Sequence, residues 1–259
     1  MPFTKEKPHI YYEVKGNGPT ILFIPPPPAM GHLTFRYQYK LSDHYQIITL
    51  DIRGDCKSEK ALPVTMELFV SDIKRVLDEL QVEKAIICGY SNGGVIAQAF
   101  AASHPNRIIG LILIGGYYEV ASFWLKKEYQ LGIWIAKQKW MSLLASALSF
   151  NHFSSKKAAN EMAIEMKQTD PDMLEQQYAI GMNYSNKHSL TKLDVPPLLL
   201  IYGARDIYIH HYQHLYQEVI KDVEIAYIDK SKHQVPTKHD HECNAIIKQW
   251  IRSKDLAKE

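Results

Sequence analysis

The sequence lacks an apolar run close to the roughly 20 residues that a membrane-spanning helix needs. Its polar start, residues 1–8, also lacks the apolar stretch of a secretory signal peptide. Lysine and arginine total 30 against 28 aspartates and glutamates, so no charge excess is available to attract nucleic acid or an anionic membrane surface. We therefore expect a soluble protein with no nucleic-acid or membrane partner. Separately, we expect a small-molecule substrate and a monomer or homodimer.

Cysteine is also scarce, and its distribution argues against disulfides and metal clusters. Cys56, Cys88 and Cys243 are odd in number, far apart and outside any CxxC pair. This pattern favours free thiols in a reducing, cytoplasmic compartment. The histidines of residues 210–214 include an i, i+4 pair, but no cysteine or carboxylate completes a metal site there. We expect no metal and no cofactor.

Glycine-rich phosphate loops are missing as well. Neither G-x-G-x-x-G nor the lysine of a P-loop occurs, which argues against a nucleotide-binding protein. Apolar residues make up 46% of the 259 positions, enough for one sizeable core, or one core with a large insertion.

Short apolar runs alternate with helical patterns through most of the chain. Such alternation predicts an α/β fold with a mostly parallel, doubly wound sheet. Residues 117–193 break it, because they are rich in aromatics and read as helices without strands. We expect residues 1–116 and 194–259 to form the core and residues 117–193 a helical cap over the active edge. A helix is also expected from about Leu33 to Leu41.

The centre of this organisation is Gly89-Tyr90-Ser91-Asn92-Gly93, between an apolar strand and a helix of small residues. Gly-x-Ser-x-Gly in that setting predicts a nucleophile elbow, a sharp turn that holds a serine hydroxyl clear of the backbone. Side chains at positions 89 and 93 would collide as strand and helix approach, so glycine is expected at both.

Four segments together resemble the α/β-hydrolase superfamily, specifically its single-domain serine hydrolases with a helical cap, over roughly residues 8–254. The segments are Gly89-Tyr90-Ser91-Asn92-Gly93-Gly94, Asp51-Ile52-Arg53-Gly54-Asp55-Cys56-Lys57-Ser58, Leu200-Ile201-Tyr202-Gly203-Ala204-Arg205-Asp206, and Lys232-His233-Gln234-Val235-Pro236. Departures from the family pattern are Pro25-Pro26 in place of His-Gly, Cys56 in place of a glycine, and Lys232 where glycine is common.

The resemblance and the residue types suggest a Ser-His-Asp triad. Ser91 is the expected nucleophile, and His233, before the last helix, is the expected general base, with His239 and His241 as rivals. Asp206 is expected to orient the imidazole, although Glu119 competes because some family members carry the acid one strand earlier.

The oxyanion hole needs two N–H donors. Asn92 N–H is one candidate. The second position aligns with Pro27, which has no N–H, so either Ala29 or Met30 donates or the hole is impaired.

Some cap aromatics are expected to line an apolar pocket, and the candidate substrate-binding residues are Met30, Tyr90, Tyr117 and Trp124. Asp51 and Arg53 are expected to brace their loop by a salt bridge. The leading hypothesis is a carboxylesterase-type hydrolase that forms an acyl-enzyme from a small apolar acyl or aryl ester. Lactones, thioesters and C–C bonds suit the same triad. A hydrolase-like binding or signalling protein with little turnover is the alternative.

Overall fold

A computed structural model of the protein describes residues 2–191 and 196–256. Within them, seven strands form one sheet in the order β1-β3-β2-β4-β5-β6-β7, and every neighbouring pair is parallel except β1 with β3. The strands are β1 (Tyr12–Lys15), β2 (Thr20–Ile24), β3 (Gln46–Leu50), β4 (Ala85–Tyr90), β5 (Ile108–Ile114), β6 (Leu198–Gly203) and β7 (Val223–Ile228). The predicted fold class is confirmed.

Helices cover both faces of this sheet and also form a separate layer after β5. They are α1 (Gly31–Thr34), α2 (Met66–Glu79), α3 (Asn92–Ser103), α4 (Phe123–Lys137), α5 (Met141–His152), α6 (Lys156–Met166), α7 (Pro171–Asn183), α8 (Lys187–Leu190), α9 (Gln213–Val219), α10 (Val235–Lys238) and α11 (Asp240–Ser253). In the described part of the chain, none of them combines the length and apolarity needed to cross a bilayer.

The central strands are buried because both of their faces are covered. Every residue of β2, β4, β5 and β6 is buried. Side chains of one face pack with α2 and α3, and those of the other face pack with α11. This double burial accounts for the continuous apolar runs that predicted the strands.

Residues of the predicted cap form α4 to α8, and β6 follows them. Ser122, Ser155 and Asp170 accept hydrogen bonds from the first turns of α4, α6 and α7, and Pro171 begins α7. Each side-chain oxygen pairs with an N–H that has no acceptor within its own helix, and proline is well suited to the first helical position. The predicted end of the cap, at residue 193, lies outside the described residues.

The turn at Ser91 has the geometry of a nucleophile elbow. Ser91 has φ 54° and ψ −124°, a left-handed region that a residue with a side chain rarely adopts. A Cβ on Gly89 would lie 2.5 Å from the Gly93 carbonyl oxygen, and one on Gly93 would lie 2.2 Å from the Ile24 carbonyl oxygen. Glycine is thus required at both positions, and Gly93 makes room for the end of β2.

The predicted helix from Leu33 to Leu41 is wrong. The chain instead forms the short α1 and then a 3-10 helix, Gln38–Asp43. The Asn244 side chain donates to the Tyr37 carbonyl, and the Gln38 amide donates to Asn244 and to the Pro236 carbonyl. These contacts with the last part of the chain replace the intrahelical bonds of a regular helix.

The predicted salt bridge between Asp51 and Arg53 is also wrong, although both residues brace their loop. Arg53 forms a two-point ion pair with Asp72 of α2, at 2.8 Å for each bond. The Asp51 carboxylate accepts the Gly31 N–H at 2.9 Å and the Lys57 N–H at 3.3 Å. Burial raises the pKa of Asp51 to about 7, against the lowering effect of these two amides.

The elbow glycines give a test of the fold. Gly93→Ala should lower the free energy of unfolding by roughly 1–3 kcal/mol, because its methyl group meets backbone atoms that cannot move aside. Gly94→Ala is the matched control: its methyl lies 3.5 Å from Leu113 Cδ2, in ordinary contact. Alanine at this helical position should raise stability by up to about 1 kcal/mol. Urea unfolding of both variants measures the difference, and equal destabilisation would contradict the close approach at Gly93.

Candidate active site

The loops that follow the parallel strands meet at one sheet edge and face a cavity of about 280 Å³ beneath the cap helices. Its walls come from the proline loop after β2, the elbow, the loops after β5, β6 and β7, and helices α4 to α7. Residues used in the argument below are Pro27, Ala29, Tyr90, Ser91, Asn92, Tyr117, Glu128, Tyr129, His152, Tyr208 and His233. The cavity lies at the carboxyl ends of the strands, where open α/β sheets bind ligands.

Three of the predicted residues form a continuous hydrogen-bonded line. The Nε2 atom of His233 lies 2.8 Å from Ser91 Oγ, and its Nδ1 atom lies 2.6 Å from Asp206 Oδ2. Asp206 is only 2% exposed, whereas Ser91 and His233 border the cavity. This arrangement can pass a proton from the serine to the imidazole and hold the other ring nitrogen in its N–H form.

Backbone contacts hold the histidine and aspartate loops together. The Arg205 N–H donates to the Ser231 carbonyl at 2.9 Å, and the Ala204 N–H donates to the Ile228 carbonyl at 3.0 Å. Gly115, with φ 57°, lies under the His233 ring, and a Cβ there would be 2.8 Å from the ring atom Cε1. The glycine after β5 therefore creates the space that the imidazole occupies.

The electrostatic surroundings favour a positive charge on His233 once it takes a proton. Burial disfavours the imidazolium, but the hydrogen bond and negative charge of Asp206, with a further contribution from Glu128, outweigh burial and raise the pKa of His233. The ring is thus a stronger base than a free imidazole.

The two sides of the expected oxyanion hole differ. Asn92 is the first residue of α3, where a backbone N–H has no acceptor within its own helix. On the facing side, Pro27 lines the cavity without an N–H, and the Ala29 N–H donates to the Pro26 carbonyl at 2.8 Å. The Pro26 carbonyl therefore already accepts the Ala29 N–H that was expected to donate to the oxyanion.

The four expected substrate-binding residues divide into two pairs. Tyr90 and Tyr117 line the cavity, and the Tyr117 hydroxyl lies 2.6 Å from that of Tyr129 on α4. Met30 does not line it, because its side chain packs in an apolar cluster with α5 and α6. Trp124 is 68% exposed on α4 and contacts Phe123, so it points away from the cavity. The structure therefore does not place Met30 or Trp124 among the residues that line the cavity.

The rival triad residues lie elsewhere. Glu119 accepts a hydrogen bond from Ser185 at 2.7 Å, and His239 lies 3.7 Å from Glu242 on α11. His241 is exposed, 4.0 Å from Asp240. The hydrogen bonds to Ser91 and Asp206 belong to His233.

Glu128, His152 and Tyr208 are polar residues of the cavity that had no place in the sequence-based site. Glu128 and His152 lie on cap helices and Tyr208 in the loop after Asp206. The Tyr208 hydroxyl is 3.5 Å from the Glu128 carboxylate, and burial raises the pKa of Glu128. Nothing in the local pattern distinguishes these residues from surface polar residues, because their contacts depend on how the cap folds over the sheet.

Comparison with known families agrees with this geometry. The family model described as "alpha/beta hydrolase fold" matches residues 19–224, more than half of the chain. The chain belongs to the α/β-hydrolase family. The resemblance inferred from the four motifs is therefore confirmed.

Curated relatives of this family member match over shorter segments. A probable proline iminopeptidase of Leptolyngbya boryana is 35% identical over 112 residues, which are 41% of this chain and 35% of the relative. A putative carbamate hydrolase, RutD, of Azorhizobium caulinodans is 30% identical over 116 residues, 44% of this chain and 43% of the relative. The chain thus spans less than half the length of these relatives.

Solved structures of α/β hydrolases match over nearly the full chain. The enol-lactonase of Burkholderia xenovorans LB400 has a TM-score of 0.84 at 18% identity, covering 97% of this chain and 100% of its own. A carboxylesterase structure from Nitrososphaera gargenis has a TM-score of 0.83 at 20% identity, covering 98% and 99%. At these identities the likeness extends to the fold alone.

The charges around His233 generate a direct test. We expect NMR titration of the His233 ring to give a pKa above the usual 6.5, and Asp206→Asn should lower it, because the paired negative charge is lost. Glu128→Gln should lower it by less. Glu119→Gln is the control, since Glu119 bonds to Ser185, away from the triad. A His233 pKa that does not move in Asp206→Asn would contradict this electrostatic description.

Proposed function

We propose that this protein is a serine hydrolase that cleaves small carboxylic esters through an acyl-enzyme, with Ser91 as nucleophile, His233 as general base and Asp206 as the orienting acid. The observation that carries the proposal is the line of hydrogen bonds from Asp206 through His233 to Ser91. A serine hydroxyl is a weak nucleophile, and a base at 2.8 Å is what activates it.

In the proposed mechanism His233 takes the Ser91 proton as Oγ attacks the ester carbonyl. Asp206 stabilises the resulting imidazolium, and the Asn92 N–H stabilises the oxyanion. The imidazolium then protonates the departing alcohol. Water attacks the acyl-enzyme with His233 again as the base, and Ser91 recovers its proton as the acid is released.

The cavity supports a small substrate. Its volume of about 280 Å³ is at the lower end of ligand pockets, and its walls include several apolar side chains of α4 and α5. Short acyl or compact aryl esters fit this size better than long acyl chains. Hydrolysis of lactones and thioesters would follow the same steps. Among the similar proteins, one is named as a carbamate hydrolase and another as an enol-lactonase.

The proline loop favours a second candidate, a hydrolase-like protein that binds a small molecule and turns it over slowly. Pro27 cannot donate, and Ala29 donates within its own turn. Loss of one oxyanion donor typically lowers kcat about 10²–10³-fold. Tight ligand binding with an unreactive Ser91 would distinguish this candidate from an esterase.

Labelling with a fluorophosphonate probe, followed by intact mass and peptide mapping, tests the proposal. We expect single labelling at Ser91 in the wild type, none in Ser91→Ala and much slower labelling in His233→Ala, because the base is lost. Ser122→Ala is a matched control that should label like the wild type, since the Ser122 side chain caps α4 and has no imidazole partner among the described residues. Absence of labelling in folded wild-type protein would refute the activated serine.

Turnover of p-nitrophenyl acetate, butyrate and decanoate provides the corresponding kinetic prediction. We expect the two short esters to be the better substrates, because the decanoate ester, with its acyl chain and aryl group together, would have to fill the whole cavity of about 280 Å³. Asp206→Asn should lower kcat by about 10⁴, the size seen when a triad loses the acid that fixes its histidine tautomer. A preference for the long chain, or an Asp206→Asn variant with wild-type kcat, would contradict the assignment.

A further inference from the structure

Two buried polar groups in the cavity wall lie outside the line of hydrogen bonds that joins Asp206, His233 and Ser91. The hydroxyl of Tyr90 and the Nδ1 atom of His152 have no hydrogen-bond partner among the residues that the structure describes. Tyr90 is 0% exposed and His152 is 7% exposed. Leaving such groups unpaired costs about 1–3 kcal/mol each, and these two, unlike most unpaired groups of the fold, belong to residues that line the cavity.

Both residues belong to the same part of the cavity, next to the reacting serine. Tyr90 directly precedes Ser91, and its ring packs against that of His233 with centroids 5.4 Å apart. The His152 ring contacts the other side of Tyr90 edge to face, with centroids 5.8 Å apart. His152 ends the cap helix α5, so this wall is completed only when the cap covers the sheet.

Both side chains are uncharged near neutral pH, so they can form only hydrogen bonds between neutral groups. Burial, with repulsion from His233 and Lys238, lowers the pKa of His152 to about 3, so its imidazole is uncharged near neutral pH. Burial likewise raises the pKa of Tyr90 well above its usual value, so the phenol keeps its proton. A carboxylate or an ammonium group would find no opposite charge on either residue.

A hydroxyl is the neutral group that suits this pair in every protonation arrangement. The Tyr90 hydroxyl can donate and accept, and neutral His152 donates or accepts at Nδ1 according to its tautomer. A ligand hydroxyl can form a hydrogen bond with either tautomer, since it also donates and accepts. A carbonyl can only accept, and it therefore fits one tautomer alone.

We propose that Tyr90 and His152 form a substrate subsite that binds a hydroxyl group, so that the preferred substrates are esters with a free hydroxyl close to the scissile carbonyl. This inference rests on the proposed esterase function and adds the substrate class. The hydroxyl lies on the acyl or the alcohol part of the ester, and matched substrates separate these two cases.

The test compares kcat/KM for two pairs of esters. In the first pair, p-nitrophenyl 3-hydroxybutyrate and p-nitrophenyl butyrate differ by a hydroxyl on the acyl part. In the second pair, 2-hydroxyethyl butyrate and propyl butyrate carry the difference on the alcohol part. We expect the wild type to prefer the hydroxylated member of one pair by about tenfold, the size of a well-formed hydrogen bond in a dry site.

Tyr90→Phe and His152→Phe remove the polar atoms and keep a ring in each position. Each variant should lose most of the preference ratio, and the double variant should lose little more, because both groups bind one hydroxyl. Tyr227→Phe and His188→Phe are matched controls: Tyr227 lies on β7 and is partly exposed, and His188 is exposed on α8. Both controls should keep the wild-type ratio.

Several outcomes would overturn the subsite. A wild type with no preference in either pair would do so, as would a ratio unchanged in Tyr90→Phe and His152→Phe. An equal fall for both members of a pair would show that the two residues act on the scissile carbonyl or on packing, and would also contradict the proposal.

A binding measurement separates failure of the subsite from failure of the esterase proposal. Calorimetry with Ser91→Ala, which cannot form the acyl-enzyme, measures affinity for the same esters without turnover. We expect tighter binding of the hydroxylated ester, and loss of that difference when Tyr90→Phe is added. If the wild type hydrolyses no ester but this difference appears, the subsite stands and the esterase proposal falls; equal affinities would refute the subsite.

Discussion

The close approach of β4, α3 and the end of β2 is the constraint on which the candidate site depends. It leaves no space for a side chain at Gly89 or Gly93, where an added Cβ would lie 2.5 Å and 2.2 Å from carbonyl oxygens. The same turn holds Ser91 at a positive φ, a conformation that costs about 1–3 kcal/mol and persists only because the surrounding backbone fixes it. Its consequence is a serine hydroxyl at the sheet edge, beside the first free amide of α3.

The rest of the site is built from loops that the sheet brings to this serine. β6 and β7 are adjacent, so the loops that carry Asp206 and His233 share backbone hydrogen bonds. Gly115, at the end of β5, leaves room for the imidazole above it. The cap then closes the cavity with α4 and α5 and supplies Glu128 and His152. The alignment of Ser91, Asp206 and His233 therefore follows from strand order, whereas the cavity wall formed by α4 and α5 follows from how these helices pack over the sheet.

This division explains what the sequence could predict. The strands were recognisable because their double burial produces continuous apolar runs, and the elbow because its geometry demands glycine at fixed spacing. Ser91, Asp206 and His233 follow strands in the chain order Ser, Asp, His that is typical of α/β hydrolases. The failures lie where contacts are distant in sequence: Asn244 replaces helical hydrogen bonds near Tyr37, Asp72 pairs with Arg53, and Met30 packs under the cap. Trp124 failed because the exposed face of a cap helix resembles its buried face in composition.

The cavity is lined by two histidines, His152 and His233, whose pKa values move in opposite directions, and the main difference between them is the carboxylate of Asp206. Burial disfavours the charged form of both, but His233 has Asp206 at 2.6 Å and its pKa rises, whereas His152 has no carboxylate partner among the described residues and its pKa falls to about 3. Their separation matters for the proposed chemistry. A charged His152 would repel the imidazolium that forms on His233 during attack and so oppose proton transfer from Ser91. Because His152 stays neutral, its imidazole can form hydrogen bonds near His233 without lowering the basicity of His233 by charge repulsion.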